Sequence, residues 1–68
     1  SLYKEYRGYG IGTELMKRML EELKKRDYKI ASLSVQKRNY AAKMYKKIGF
    51  EIIGGNEEEY MMIYYFSR

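Results

Sequence analysis

The pattern of apolar and polar positions divides the chain into five segments, which predict two helices and three strands. In residues 11–26 apolar side chains recur every three or four positions, the spacing of an amphipathic helix. Residues 28–35 (YKIASLSV) have the length and composition of a strand with a buried face. Residues 50–54 and 59–66 predict two further strands joined by a turn at Gly55 and Asn56. With a second helix between the first two strands, the order is helix, strand, helix, strand, strand. This order predicts an α/β fold (α+β, with a mixed sheet).

The second helix carries signals at both of its ends. Asn39 is a favourable N-cap, and Gly49 stands where a left-handed C-terminal cap is expected. Phe50 would then fold back onto the helix. One face of this helix is apolar and is formed by Ala41, Met44, Tyr45 and Ile48.

Composition limits the chemistry that the chain can perform. It has 68 residues, no cysteine, no histidine and a formal net charge of +5. We therefore expect one small domain without a disulfide framework or a metal site, and with an anionic partner. The chain shows no signal peptide and no apolar run long enough to cross a bilayer, so we expect a cytoplasmic protein without a membrane partner.

Three glycines at alternate positions, Gly8, Gly10 and Gly12, precede the first helix. A helix N-terminus offers unpaired N–H groups and the positive end of the helix dipole, so a glycine-rich turn at that point is suited to bind an anion. A dinucleotide fingerprint does not fit, because the next glycine it requires is replaced by Thr13 or Leu15. No Gly-Lys-Ser/Thr sequence follows, which excludes a Walker A loop.

A nucleic-acid interface is an alternative interpretation of the same turn. Residues 7–10 (RGYG) match the opening of an RNA-binding strand signature, and the basic chain contains nine tyrosines. The match ends there, because a helix follows instead of further stacking aromatic residues. A connecting turn without any ligand is the second alternative.

Two motifs together resemble the GNAT superfamily of acetyl-CoA-dependent N-acetyltransferases. Its cofactor loop reads Arg/Gln-x-x-Gly-x-Gly/Ala, and Arg7, Gly10 and Gly12 fit that pattern. A downstream motif, Asn-x-Ala-x-x-Leu-Tyr-x-x-x-Gly-Phe, is matched with methionine in place of leucine. The matching residues are Asn39, Ala41, Met44, Tyr45, Gly49 and Phe50.

The resemblance implies a role for each group of residues. The backbone amides of the loop would bind the pyrophosphate of coenzyme A, Asn39 would hydrogen-bond its pantetheine arm, and Tyr45 would act as the general acid for the departing thiolate. The residues of this loop are Arg7, Gly8, Tyr9, Gly10, Ile11, Gly12 and Thr13. Helix capping by Asn39 and core packing by Tyr45 are the structural alternatives.

The resemblance covers the C-terminal half of the family domain, so residues 1–68 are expected to form a single, partial N-acetyltransferase domain. The expected activity is acetyl transfer from acetyl-CoA to an unknown amine, or that of a truncated and catalytically incomplete fragment. Without the central strand of the family, the edge of strand 28–35 would be open, which predicts a homodimer or association with a missing N-terminal half. A nucleic-acid-binding module and a non-catalytic interaction domain remain the alternatives.

Overall fold

Two helices and three strands form the part of the chain that the structure describes. The structure is a computed structural model, which describes residues 12–67. The order of the elements is the predicted one, and the fold is mixed α/β as expected. The elements are α1 (Thr13–Lys25), β1 (Ile30–Gln36), α2 (Ala41–Ile48), β2 (Glu51–Gly55) and β3 (Glu59–Tyr65).

The three described strands form one sheet in the order β1-β3-β2, and both pairings are antiparallel. The last strand in sequence therefore lies in the centre. Its Met62 lies opposite Leu33 of β1 and Ile52 of β2. Residues directly opposite one another share a face of the sheet, so this row continues across all three strands.

Both helices pack against the same face of the sheet, and their apolar side chains join those of the strands in one cluster. Met62 is fully buried, and Met16 of α1 is 1% exposed. The cluster follows from the helical period of α1 and α2 and from the two-residue period of β1. Its buried members are Met16, Leu20, Leu33, Val35, Ala42, Tyr45, Phe50 and Met62.

The first strand begins at Ile30, two residues later than the sequence suggests, because the end of α1 uses the preceding residues. Asp27 adopts a left-handed conformation (φ 64°), and its N–H donates to the carbonyl of Lys24 at 3.0 Å. The N–H of Tyr28 donates to the carbonyl of Leu23 at 3.2 Å. This pair of bonds is a Schellman motif, and it leaves Tyr28 outside the sheet, 55% exposed.

The hairpin between β2 and β3 also differs from the expected turn, because β2 continues through Gly55. Ile53 is an extra residue in β2, since Ile52 pairs with Met62 and Gly54 with Met61. A Cβ on Gly55 (φ 144°) would lie 2.1 Å from the carbonyl oxygen of Glu59, so no other residue fits there. Sequence periodicity does not reveal a β-bulge, which is why the strand boundary was misplaced.

We expect Asp27→Gly to raise the free energy of unfolding by about 1 kcal/mol, because glycine adopts positive φ without the steric penalty that aspartate has. Chemical denaturation followed by circular dichroism measures this change. Lys24→Gly is the matched control, because the same residue placed inside α1 should lower the stability by about 1 kcal/mol. A destabilised Asp27→Gly variant would contradict the assigned helix end.

Candidate functional site

The first turn of α1 is open to solvent at Gly12 and Thr13. Gly12 is the N-cap residue, and its carbonyl accepts a hydrogen bond from the N–H of Met16 at 3.1 Å. Among residues 12–67, no side chain forms a capping hydrogen bond at this end of the helix. The first N–H groups of an α-helix have no acceptor within the helix, so this turn presents donors and a positive dipole to an approaching anion.

The structure indicates why a glycine suits position 12. Its backbone angles (φ −78°, ψ 164°) are accessible to any residue, and a Cβ placed there would meet no described atom within 4 Å. Neither backbone conformation nor packing among residues 12–67 therefore requires glycine. Its expected role, to leave the N–H groups of the first turn accessible to an anion, stays a prediction.

Most of the predicted cofactor loop lies outside the described residues. The structure describes Gly12 and Thr13, which form the junction between the loop and α1. Their role in binding coenzyme A stays a prediction, as does that of the rest of the loop. The loop residues outside the described range are Arg7, Gly8, Tyr9, Gly10 and Ile11.

Asn39 caps α2, which confirms the structural part of its predicted role. Its Oδ1 accepts the backbone N–H of Ala41 at 2.8 Å, and the backbone of Tyr40 is already helical (φ −53°, ψ −32°). The side chain is exposed. Capping uses only the Oδ1 atom, so the Nδ2 group can still donate to a ligand carbonyl. The capping and ligand-binding interpretations of Asn39 are therefore compatible.

Tyr45 lies in the core, 3% exposed, with its ring in a row of aromatic side chains. Phe50 folds back onto it as predicted, with the two ring centroids 5.6 Å apart. The row continues from Phe50 to Tyr64 at 5.5 Å and from Tyr64 to Phe66 at 5.2 Å. These contacts connect Tyr45 to the central strand β3 and fix the orientation of its ring.

Gly49 makes this aromatic row possible at the end of α2. It is the C-cap, as predicted, and its φ is 130°. A Cβ at this position would lie 2.9 Å from Cε2 of Tyr64. Its N–H donates to the carbonyls of Tyr45 and Lys46, both at 3.1 Å. Gly49 thus ends the helix and leaves space for the Tyr64 ring.

Met16 connects the two parts of the candidate site. It follows Gly12 by one helical turn, about 5.4 Å along the axis, and it belongs to the same buried cluster as Tyr45. The open turn of α1 is therefore held beside α2 by a core residue. Met16 is one of the apolar residues that recur at helical spacing in residues 11–26, and its distance of four residues from Gly12 is the sequence signal for this link.

The basic residues around α2 are exposed and form one solvated basic face. Lys37 makes two contacts with the segment before and within β3. Its Nζ lies 5.3 Å from the centroid of the Tyr60 ring, and its backbone N–H donates to the carbonyl of Glu58 at 2.9 Å. The other members of this exposed basic face are Arg38, Lys43, Lys46 and Lys47.

Residues 12–67 contain neither a cluster of metal ligands nor a helix that could span a membrane. No group of three histidine, cysteine, aspartate or glutamate side chains in this range is arranged to hold a metal ion. Within the same range, none of the helices combines the length and the apolar character needed to span a membrane. The cytoplasmic location stays a prediction.

The chain is similar to a known family of proteins. The family model described as "Acetyltransferase (GNAT) domain" matches residues 2–65, which is nearly the whole chain. No curated protein and no solved structure shows significant similarity to the chain.

Replacing the Asn39 cap should test its structural role. We expect Asn39→Ala to lower the free energy of unfolding by about 1 kcal/mol, because the N–H of Ala41 loses its acceptor. Asn39→Ser should retain most of the stability, because a serine hydroxyl also caps a helix. Thermal and chemical denaturation of the two variants test this, and an Asn39→Ala variant as stable as the unmodified chain would show that the cap contributes nothing.

Proposed function

Because the chain belongs to the GNAT acetyltransferase family, we propose that it acts in the transfer of an acetyl group from acetyl-CoA to an amine. The observation that carries this proposal is the uncapped first turn of α1 at Gly12, held through Met16 beside the helix that contains Tyr45. The family match supports acetyl transfer in general. The amine class is left open, because no described contact selects one.

The described residues fit a phosphate-bearing donor. The turn at Gly12 and Thr13 exposes backbone N–H groups, and the absence of a side chain at Gly12 leaves room for phosphate oxygens. The loop residues from Arg7 to Ile11 would complete this cradle. Asn39, whose Nδ2 is not used for capping, would donate to a carbonyl of the pantetheine arm. When bound, acetyl-CoA supplies a thioester as the activated acetyl group.

Tyr45 is proposed as the proton donor of the reaction. As the amine nitrogen forms its bond to the acetyl carbon, the carbon–sulfur bond breaks and the sulfur leaves as a thiolate. Protonation by a phenol neutralises that charge and favours departure. The contact with Phe50 fixes the direction in which the Tyr45 ring presents its hydroxyl. The amine loses a proton in the same reaction, and no described residue is assigned as its acceptor.

We further propose that residues 1–68 represent one partial domain of this family, consistent with the match over residues 2–65. Binding and turnover are therefore separate questions. A chain that binds coenzyme A but transfers no acetyl group would agree with a partial domain, whereas a chain that binds neither coenzyme A nor acetyl-CoA would not agree with a cofactor site.

Gly12→Asp should abolish coenzyme A binding without destabilising the fold. Aspartate is a strong N-cap and interacts favourably with the helix dipole, so the free energy of unfolding should stay equal or rise. Its carboxylate would occupy the N–H groups of the first turn and repel a phosphate. Isothermal titration calorimetry with coenzyme A, at low and moderate salt, measures the affinity.

Gly12→Asn is the matched control, because asparagine caps equally well without a charge. We expect it to weaken coenzyme A binding less than Gly12→Asp. Equal affinity of Gly12→Asp and the unmodified chain would exclude this turn as the phosphate site. If the chain binds single-stranded RNA in a salt-dependent manner and does not bind coenzyme A, the nucleic-acid alternative replaces this proposal.

Tyr45→Phe should lower kcat by about 100-fold while leaving the affinity for acetyl-CoA nearly unchanged. Phenylalanine keeps the ring contact with Phe50, so the core remains filled. The assay follows release of the coenzyme A thiol with a panel of primary amines. If an amine is turned over and Tyr45→Phe reacts at the unmodified rate, Tyr45 is not the proton donor.

A further inference from the structure

The side of α2 that faces away from the core consists only of lysines. The residues of α2 that pack in or against the core cluster are Ala41, Ala42, Met44, Tyr45 and Ile48. The other three residues of the helix are Lys43, Lys46 and Lys47, and all three are exposed. None of these lysines forms an ion pair with another residue in the range 12–67. Their charges are therefore available to a partner.

Positive and negative charges are separated around α2, unlike around α1. Residues 37–50 contain five basic and no acidic residues, whereas α1 contains four basic and three acidic residues. At the end of α1 the side chains of Glu22 and Arg26 form an ion pair at 3.3 Å. The acidic run at residues 57–59 lies between β2 and the start of β3. The surface at α2 is thus more positive than the net charge of +5 alone would indicate.

Helix stability does not explain the lysine in the first turn of α2. The helix dipole favours an acidic residue there, as α1 has at Glu14, but the first turn of α2 contains none and carries Lys43 instead. Lys43 also lies four residues before Lys47, a spacing at which like charges repel each other. The positive charge of Lys43 therefore opposes the stability of its own helix, which points to an anion outside the fold.

Tyr40 extends this surface with an aromatic ring. It is 84% exposed, although tyrosine rings in folded proteins usually bury most of their area. Its backbone is helical, so Tyr40, Lys43 and Lys47 follow one stripe of the helix. The two lysines lie about 4.5 and 10.5 Å beyond Tyr40 along the helix axis. Because unpaired lysines are almost never buried, this stripe belongs to the surface whatever packs against the sheet.

We propose that Tyr40 and the three lysines of α2 form a binding surface for single-stranded nucleic acid, which we call the α2 surface. The ammonium groups of Lys43, Lys46 and Lys47 contact successive phosphates, and the Tyr40 ring stacks on an unpaired base. An anionic membrane fits less well, because the apolar side of α2 is packed in the core and cannot enter lipid. The proposal does not rest on acetyl transfer.

The first test titrates the full 68-residue chain into a fluorescently labelled oligothymidylate of about twelve nucleotides and follows anisotropy. We expect the logarithm of the affinity to fall linearly with the logarithm of the salt concentration, with a slope of about −2 for three contacted phosphates. Absence of binding at low salt would overturn the proposal. Co-sedimentation with vesicles of anionic phospholipid, without binding of the oligonucleotide, would replace it with a membrane surface.

Lys43→Glu separates loss of binding from loss of folding. A glutamate in this turn favours the helix dipole and pairs with Lys47, so the midpoint of thermal denaturation should rise. The affinity for the oligonucleotide should nevertheless fall by about tenfold or more, and the salt slope should become shallower by about 0.7. Lys17→Glu makes the same change of charge on the mixed face of α1 and should weaken binding much less. Equal losses in the two variants would overturn the proposal.

Tyr40→Ala tests the stacking contact. We expect it to lower the affinity about tenfold without changing the salt slope, because the ring contributes no charge. Tyr28→Ala is the matched control, since Tyr28 is also exposed (55%) and lies outside the α2 surface. Circular dichroism confirms that both variants fold. An affinity of Tyr40→Ala equal to that of Tyr28→Ala would overturn the proposed contact with a base.

Coenzyme A distinguishes the α2 surface from the proposed cofactor site. We expect Lys43→Glu to retain the coenzyme A affinity of Lys17→Glu, because the open turn at Gly12 is not part of the α2 surface. A loss of coenzyme A affinity as large as the loss of oligonucleotide affinity would assign Lys43 to the cofactor site and overturn this proposal. A chain that binds the oligonucleotide and not coenzyme A would contradict the proposed acetyl transfer and leave the α2 surface supported.

Discussion

The contact between Gly49 and the ring of Tyr64 is the constraint on which the rest of this small structure depends. Tyr64 occupies the space that a Cβ on Gly49 would need, with only 2.9 Å between that position and the ring. The end of α2 can therefore lie directly over the central strand. Phe50 follows at once and packs between Tyr45 and Tyr64. The lack of a side chain at Gly49 thus sets the distance between α2 and the sheet.

The position of the candidate site follows from this packing. Helix α1 is attached to the rest of the fold by buried side chains, chiefly Met16 and Leu20. Its open first turn begins only four residues before Met16, so the orientation of the exposed N–H groups is determined by the core. The site residues themselves are exposed at Gly12 and Asn39 and buried at Tyr45. The proposed binding surface and the structural core therefore share the same two helices.

Much of this architecture could be predicted from the sequence, because its local signals agree with one another. The helical period of α1, the Asn39 cap and the Gly49 C-cap were each visible in short stretches of sequence, and the structure confirms them. The order of the elements follows from these signals. What the sequence did not reveal depends on contacts between distant segments.

The bulge at Ile53 shows this limit, because it is defined by pairing with β3 and not by any periodicity in β2. The start of β1 was misplaced for a related reason: Asp27 ends α1 with a left-handed backbone that is more usual for glycine. The chemistry was predicted by resemblance to a family, and the family match over residues 2–65 confirms that membership. Individual roles for the loop residues require contacts with a ligand, which neither periodicity nor fold provides.

The irregular edge at β2 also sets an upper limit on how large an assembly of this sheet can become. A sheet with two regular edges could add copies indefinitely and grow into a fibre, as in cross-β structures. Here Gly55 and the extra residue Ile53 stop such growth on one side, because the backbone there does not present an even row of donors and acceptors. Strand addition at the β2 edge is therefore obstructed, so the described sheet cannot grow in both directions.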